Sequence, residues 1–236
     1  SYLQLQIHFV QLQLNNYPIQ ELEFIRKIPR HKLKGIADLH LKAKNIFQLE
    51  GLAALLRIDS LNVNGDDYGT LRLDASAPNP KQSIIATLAI LHPDMNLRVD
   101  GYYNPPNFDP NFKRKWVKPE KNYLDVNVSV ENYPLHILEY FVEAISEVKG
   151  TVTAEDVHFT GPPNRMVMAG EAEVKGASFR LIPLQTVYSV PSATVALTET
   201  TIDGTGHYVY DSDKNRVYVE GGLTHDHLRH LGVDLK

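Results

Sequence analysis

Residues 16–41 and 132–159 are two versions of one pattern, and this repeat limits the possible folds more than any other feature of the chain. Asn16-Tyr17-Pro18 returns as Asn132-Tyr133-Pro134, and Leu22-Glu23 as Leu138-Glu139, 116 positions later (132 less 16). Lys34-Gly35 returns as Lys149-Gly150 at 115 (149 less 34), so one deletion absorbs the difference. Each copy reads as an alternating strand, Asn-Tyr-Pro, a short amphipathic segment, Lys-Gly and a second alternating strand. Self-similarity of this kind predicts a stacked repeat architecture rather than a globular enzyme. The period far exceeds that of the common solenoids, so each unit must itself hold several strands.

Period-2 alternation dominates the rest. Leu3, Leu5, Ile7 and Phe9 share one face, with glutamines and a histidine opposite, as in a half-buried strand. Turn punctuation separates such runs at Asn64-Gly65-Asp66-Asp67, Ala77-Pro78-Asn79-Pro80, Gly161-Pro162-Pro163-Asn164, Asp203-Gly204 and Asp211-Ser212-Asp213. Close spacing of this kind predicts an antiparallel meander. The alternation breaks phase in two places. Ala172 and Val174 give way to Ala177, Phe179 and Leu181 across Gly176, and Val152 and Ala154 give way to Val157 and Phe159 across Glu155-Asp156. A one-residue slip would turn a strand inside out, so a bulge or glycine kink is expected at Gly176 and a second kink at Glu155-Asp156. Kinks of this sort curve a wide sheet.

Two stretches have helical spacing. Leu135, Leu138, Phe141, Val142 and Ile145 predict a short amphipathic helix over 134–147, started by Pro134. Ile19, Leu22, Ile25 and Ile28 predict a second over 18–29, stopped by Pro29. Both are expected to cover a sheet edge. Residues 102–121 form one long irregular connection, rich in proline and mixing Phe108, Phe112 and Trp116 with lysines and Arg114. Its aromatics are expected to pack on its own sheet, with docking of a partner or lipid headgroup as the other reading. The expected organisation is a first repeat unit over 1–101, this connection over 102–121, and a second repeat unit over 122–236, all within one continuous sheet.

The sequence offers little catalytic chemistry. The chain has no cysteine, which removes disulfides, thiolate catalysis and zinc-thiolate sites. A net charge of −4 gives no reason to expect nucleic acid as a partner. No apolar run reaches the length of a membrane helix. Both ends read as cut from a longer chain. His225 and His227 would project to one side of a strand, as a shared metal requires, but Arg229 would repel a cation, and these residues are expected on the outer face and in the following turn. Asp211-x-Asp213-x-Asn215 begins like a calcium loop but has Arg216 where glycine belongs and Gly222 where glutamate belongs, which leaves a hairpin turn. No nucleophile elbow, phosphate-binding glycine pattern or paired carboxylates stand out, so no enzyme, cofactor or metal is expected.

The order of motifs over 148–236 carries a family resemblance. Val148-Lys149-Gly150-Thr151-Val152 leads to Gly161-Pro162-Pro163 and Met168-Ala169-Gly170-Glu171-Ala172, then to Ala177-Ser178-Phe179-Arg180-Leu181, Tyr188 to Leu197, Asp211, and Val219-Glu220-Gly221-Gly222-Leu223-Thr224-His225. This series resembles the translocation and assembly module subunit TamB and its AsmA-like relatives, in the form found in Bacteroidota, with 12–101 matching more loosely. Gly222 doubles the glycine before His225, and 102–121 has no part in the pattern. The resemblance implies a periplasmic segment of a protein anchored in the inner membrane and paired with an Omp85-type, TamA-like outer-membrane barrel. It implies a mainly β fold, an elongated curved antiparallel sheet forming an open groove (a β-taco), that carries phospholipid between the membranes. It also links such proteins to outer-membrane protein assembly.

The alternation supplies a lining for that groove. In the first unit it comprises Leu39, Leu41, Leu61, Val63, Leu71, Leu73, Ile90, Leu97 and Val99. In the second it comprises Val126, Val128, Val130, Val152, Met168, Val174, Phe179, Val195, Leu197, Val217 and Val219. Few of these are aromatic, which leaves room for acyl chains. The same alternation also suits a closed sandwich or barrel. Two functions compete, passage of lipid tails along the groove or an assembly scaffold that offers a sheet edge to nascent strands or to the barrel, and a β-rich surface or adhesin stalk, which needs no apolar lumen, is a third.

Overall fold

The computed structural model describes residues 9–26, 32–44, 50–77, 83–104, 123–140, 145–226 and 229–235. The expected strand over residues 1–9 therefore falls almost wholly outside the described residues, as does most of the 102–121 connection. Strand pairing is antiparallel and follows chain order within one sheet, and the path has two ends. The chain divides into two compact units, Ser1–Pro93 with Arg98–Val126, and Asp94–Leu97 with Asn127–Lys236.

The first unit contains β1 (Val10–Pro18), β2 (Leu33–Ala43), β3 (Leu52–Val63), the two-residue β4 (Asp66–Asp67), β5 (Thr70–Ala77), β6 (Ile84–Leu91) and most of β7 (Asn96–Asn104). The order is β1-β2-β3-β5-β6-β7, with β4 paired to β3. The meander follows from the turns. Asn62 Oδ1 accepts the Gly65 N–H at 2.9 Å and Asn64 adopts a left-handed φ of 57°, the chemistry that reverses β3 into β4.

The unit boundary runs within β8 (Tyr123–Pro134). The second unit continues with β9 (Ile145–Gly161), β10 (Val167–Leu181), β11 (Thr186–Leu197), β12 (Thr201–Asp203), β13 (His207–Tyr210), β14 (Arg216–Val219), β15 (Gly221–Asp226) and β16 (Arg229–Leu235). Its path is β8-β9-β10-β11-β12-β15-β16, and the β13–β14 hairpin lies off that path, meeting β11 at the ladder pair Ser189–Tyr210, at His207 Nε2, which lies 3.1 Å from the Thr194 nitrogen, and at the Ser212 hydroxyl, which donates to the Val187 carbonyl at 3.4 Å.

Both predicted kinks are present. Gly176 has φ 58°, and the β9/β10 register shifts between Lys175 and Ser178. Asp156 has φ 55°, with a second shift between Ala169 and Glu173. The repeat extends to backbone geometry as well. Asn16 and Asn132 both have φ 50°, and Ser60 (φ 52°) stands 116 positions before Gly176 (176 less 60) at the matching shift between Lys34 and Ile36 in β2/β3.

The two amphipathic helices are not formed among the described residues. β1 and β8 run on through Pro18 and Pro134, so each proline ends a strand instead of starting a helix. The first segment is a 3₁₀ turn at Ile19–Glu21, an extended Leu22 and a single α-turn at Glu23–Arg26, and the second is a 3₁₀ turn at Leu135–Tyr140. Ile145, the last apolar position of the expected helix, instead opens β9 opposite Leu181. Single turns this short gain too few hydrogen bonds to overcome helix nucleation unaided, and packing on the strand that follows holds them.

Candidate functional site

Directly paired residues of an antiparallel sheet share a face. The register of the first unit therefore aligns Leu14, Leu39, Leu56, Leu73 and Leu88 in one row across five strands. A parallel row runs Leu12, Leu41, Ala54, Ala75 and Ala86, and a third runs Tyr17, Ala37, Ile58, Leu71 and Ile90. The intervening positions on the reverse side are mostly polar: Gln13, His40, Leu55, Asp74 and Thr87 form one such row, and Asp38, Arg57 and Arg72 part of another. The members of the leucine row are half-buried, which leaves part of each side chain open.

Leu39, Leu41, Leu71, Leu73 and Ile90 thus lie together on this face. Leu61 (7% exposed) and Val63 join it because the left-handed Ser60 reverses the phase of β3, which brings Val63 opposite Leu33. Leu97 and Val99 lie on β7 and Val126 on β8, all half-buried.

In the second unit one cluster gathers most of the expected lining. Ala154, Val157, Met168 and Ala172 are buried at its centre, and Val128, Val130, Val152, Phe159, Val195, Leu197 and Ile202 pack against them. Val174 pairs with Val152 and with Ala193. Phe179 pairs with Tyr188 across the Gly176 kink, their ring centres 5.9 Å apart. Val219 and Val217 are set apart. They belong to the β13–β14 hairpin, opposite His207 and Val209, and Val217 is 56% exposed.

Sequence alternation missed Leu12, Leu14, Leu56, Ile58, Leu88 and the alanine row. The signal was present in 52–58, but the adjacent Leu55 and Leu56 hide which parity faces inward. Register decides it: Leu56 pairs with Leu39 and Leu73, whereas Leu55 pairs with His40 and Asp74.

The reverse side is laced with ion pairs. Arg57–Asp59, Arg98–Asp100 and Lys175–Glu173 are close pairs two residues apart along their strands. Arg180 grips Glu147 with two bonds, Nε to Oε1 at 2.8 Å and Nη2 to Oε2 at 3.1 Å, and the guanidinium holds the Glu147 carboxyl below its usual range. Asp100 is lowered by Arg98 and then by the Thr87 hydroxyl, which donates at 2.7 Å.

The Asp211 turn binds its own chain. Oδ1 accepts the N–H groups of Asp213 (2.9 Å) and Asn215 (2.8 Å), and Oδ2 accepts Asn215 Nδ2 (2.9 Å). Both carboxylate oxygens are thereby occupied, which matches the hairpin-turn reading and lowers the Asp211 pKa, with Asn215 the largest cause. Asp203 acts likewise on Thr205, accepting its N–H at 2.9 Å and its hydroxyl at 2.6 Å.

His225 departs from expectation. It is 5% exposed, and its backbone N–H donates to the Thr200 carbonyl at 2.8 Å, which draws the end of β15 against the turn after β11. His227 and the side chain of Arg229 lie outside the described residues. Among the described residues no group of three metal-ligating side chains converges, and no helix is long and apolar enough to cross a membrane.

In comparisons with known proteins, no protein family, characterised protein or solved structure matches this chain.

Proposed function

We propose that the chain is a segment of a TamB-like, envelope-spanning protein, and that the apolar face of each unit lines an open groove that carries phospholipid acyl tails. The observation that carries this reading is the leucine row Leu14–Leu39–Leu56–Leu73–Leu88, continuous over five strands yet only half-buried. A stripe of this kind is suited to hold hydrocarbon, since each acyl methylene moved out of water gains about 0.8 kcal/mol. Neighbouring rows are chemically alike, so a tail can shift along them without meeting a deep trap. Chemistry is not required of this face: the carboxylates described above sit on the reverse side, paired with Arg or Lys, or in turns, where they hold their own chain.

The kinks support the same reading. At Ser60 and Gly176 the strand reverses phase, and the apolar residues stay on one side of the sheet through the bend. In this reading the periplasm, an inner-membrane anchor and an Omp85-type barrel partner follow from the resemblance.

The test is crosslinking of a photoactivatable phospholipid to the purified protein. Val128→Asp and Leu197→Asp place charge on the apolar cluster and should abolish crosslinking while the β-sheet circular dichroism is kept. Undiminished crosslinking in both would remove the transport reading.

A second reading has one observation in its favour. Among the described residues β14 pairs with β13 alone, which leaves its other edge for strand addition. In an assembly scaffold, Tyr218→Pro on that edge would reduce partner binding, and Val128→Asp would not.

A further inference from the structure

Each unit carries its 3₁₀ turn at the same place in the repeat, directly after the Asn-Tyr-Pro strand end. Tyr17 pairs with Ala37 and so lies on the apolar side, and Ile19, two residues on, is 4% exposed. The turn that Ile19 begins packs on β2, and Ala37, on β2 opposite Tyr17, is 3% exposed. In the second unit Tyr133 (8%) and Val148 (7%) are buried where the Leu135–Tyr140 turn packs on β9. The leucine row beyond the first turn, by contrast, stays half-open.

Each turn is tied to the strand it covers at two points. The Asn16 N–H donates to Asp38 Oδ1 at 2.8 Å, and the Asn132 N–H donates to Thr153 Oγ1 at 3.1 Å. Both asparagines are left-handed within their strands, and in β1 the register shifts there before pairing resumes at Tyr17 and Pro18. Further along, Gln20 Oε1 accepts the Gly35 N–H at 3.3 Å, and Glu139 Oε1 accepts the Val148 N–H at 2.6 Å. Gln20 and Glu139 are not repeat equivalents, yet each makes a side-chain bond from the turn to the start of the following strand. This second tie lies outside the strand ladders, so it can break while the sheet stays paired.

We propose that the turns Ile19–Glu21 and Leu135–Tyr140 are latched lids on the apolar face, hinged where the strands end at Pro18 and Pro134 and fastened through Gln20 and Glu139, that lift to extend the path of an acyl tail. The proposal rests on the lipid-carrier reading, and its test separates the two.

The chain has no cysteine, so a single introduced thiol reports on its own site. Ala37→Cys and Val148→Cys are labelled with a small maleimide, with and without the latch cuts Gln20→Ala and Glu139→Ala. Loss of the neutral latch should speed labelling at 37 about fivefold, and loss of the charged latch should speed labelling at 148 about tenfold or more. Ala77→Cys and Ala172→Cys, buried away from the turns, serve as controls and should not change. Unchanged rates at 37 and 148, or an equal rise at the controls, overturn the lids. Photoactivatable phospholipid is then applied to the latch-cut proteins and should crosslink more than to the uncut protein. Faster labelling without crosslinking at any site keeps the lids and removes the carrier. Crosslinking with unchanged labelling does the reverse.

Discussion

Gly150 lies so close to β10 that a Cβ at this position would stand 2.7 Å from the Ala177 Cα and 2.7 Å from the Lys175 carbonyl oxygen. Its φ of 100° is also closed to ordinary side chains. Gly176, beside it across the strand pair, has φ 58° but open space where its Cβ would be. The two glycines of one kink therefore fail differently. Gly150→Ala meets both strain and backbone overlap, and should cost about 3 kcal/mol in urea unfolding. Gly176→Ala meets left-handed strain alone, about 1 kcal/mol. Gly176→Asn should cost less still, since asparagine tolerates this region and Ser60 fills the matching position of the first unit. Equal costs for the two alanine variants would show that the close approach at Gly150 is not what specifies the bend.

Leu55 and Leu56 are neighbours in sequence with opposite surroundings. Leu56 sits in the leucine row between Leu39 and Leu73, and Leu55, 52% exposed, sits between His40 and Asp74. Leu56→Asp should destabilise the fold by about 2 kcal/mol, because a carboxylate is placed among apolar side chains. Leu55→Asp should stay within about 0.5 kcal/mol of the parent protein. Denaturant midpoints check this directly, and lipid crosslinking should fall for Leu56→Asp alone.

Parity of this kind marks where sequence reading succeeded and where it stopped. The kinks at Gly176 and Asp156 were legible because apolar residues change parity across each, and only a bulge keeps them on one face. The Leu55-Leu56 doublet was not legible, because both parities are apolar and only pairing with His40 or Leu39 decides between them. The helices expected over 18–29 and 134–147 do not form among the described residues, for a related reason. Spacing of Leu135 and Leu138 fits a helix, but Tyr133 and Pro134 are still held by the sheet, and the strand takes the residues a helix would need to nucleate. The Val217/Val219 alternation is genuine, yet whether its apolar side is covered depends on how the hairpin joins β11, which local pattern does not encode.

Acid should loosen the reverse side and the turns before it affects the apolar face. Asp59, Asp100, Glu147, Asp203 and Asp211 all have pKa values lowered in the folded protein, by Arg57, Arg98, Arg180, Thr205 and Asn215 respectively as the largest cause. A depressed folded-state pKa contributes stability above the unfolded value, and that stability is lost as pH falls through the folded one. The melting temperature should therefore be flat near neutrality and fall as pH drops below the ordinary carboxylate range of about 4. High salt should blunt the share from the arginine pairs, which are solvent-exposed, and spare the Asp203 and Asp211 turns, whose partners are uncharged. Asp211→Ala should remove its portion of the acid sensitivity in high salt and low salt alike. A melting temperature that rises on acidification would contradict the assignment of these carboxylates.

Val195 and Val217 test how far the apolar face extends. Val195 pairs with Ala172 and packs on the buried cluster of the second unit, whereas Val217 lies on β14, in a hairpin that meets β11 through Tyr210, His207 and Ser212. Its partner Val209 is the residue directly opposite, and more than half of Val217 is open to water. Val195→Asp should cost about 3 kcal/mol, because an unpaired carboxylate enters an apolar cluster. Val217→Asp should cost no more than about 0.5 kcal/mol. Lipid crosslinking separates them further: it should be lost in Val195→Asp and kept in Val217→Asp if the lining ends at β11 and β12. Loss of crosslinking in Val217→Asp with stability unchanged would extend the lining onto the hairpin, and would make β13 and β14 a wall of the groove instead of an appendage to it.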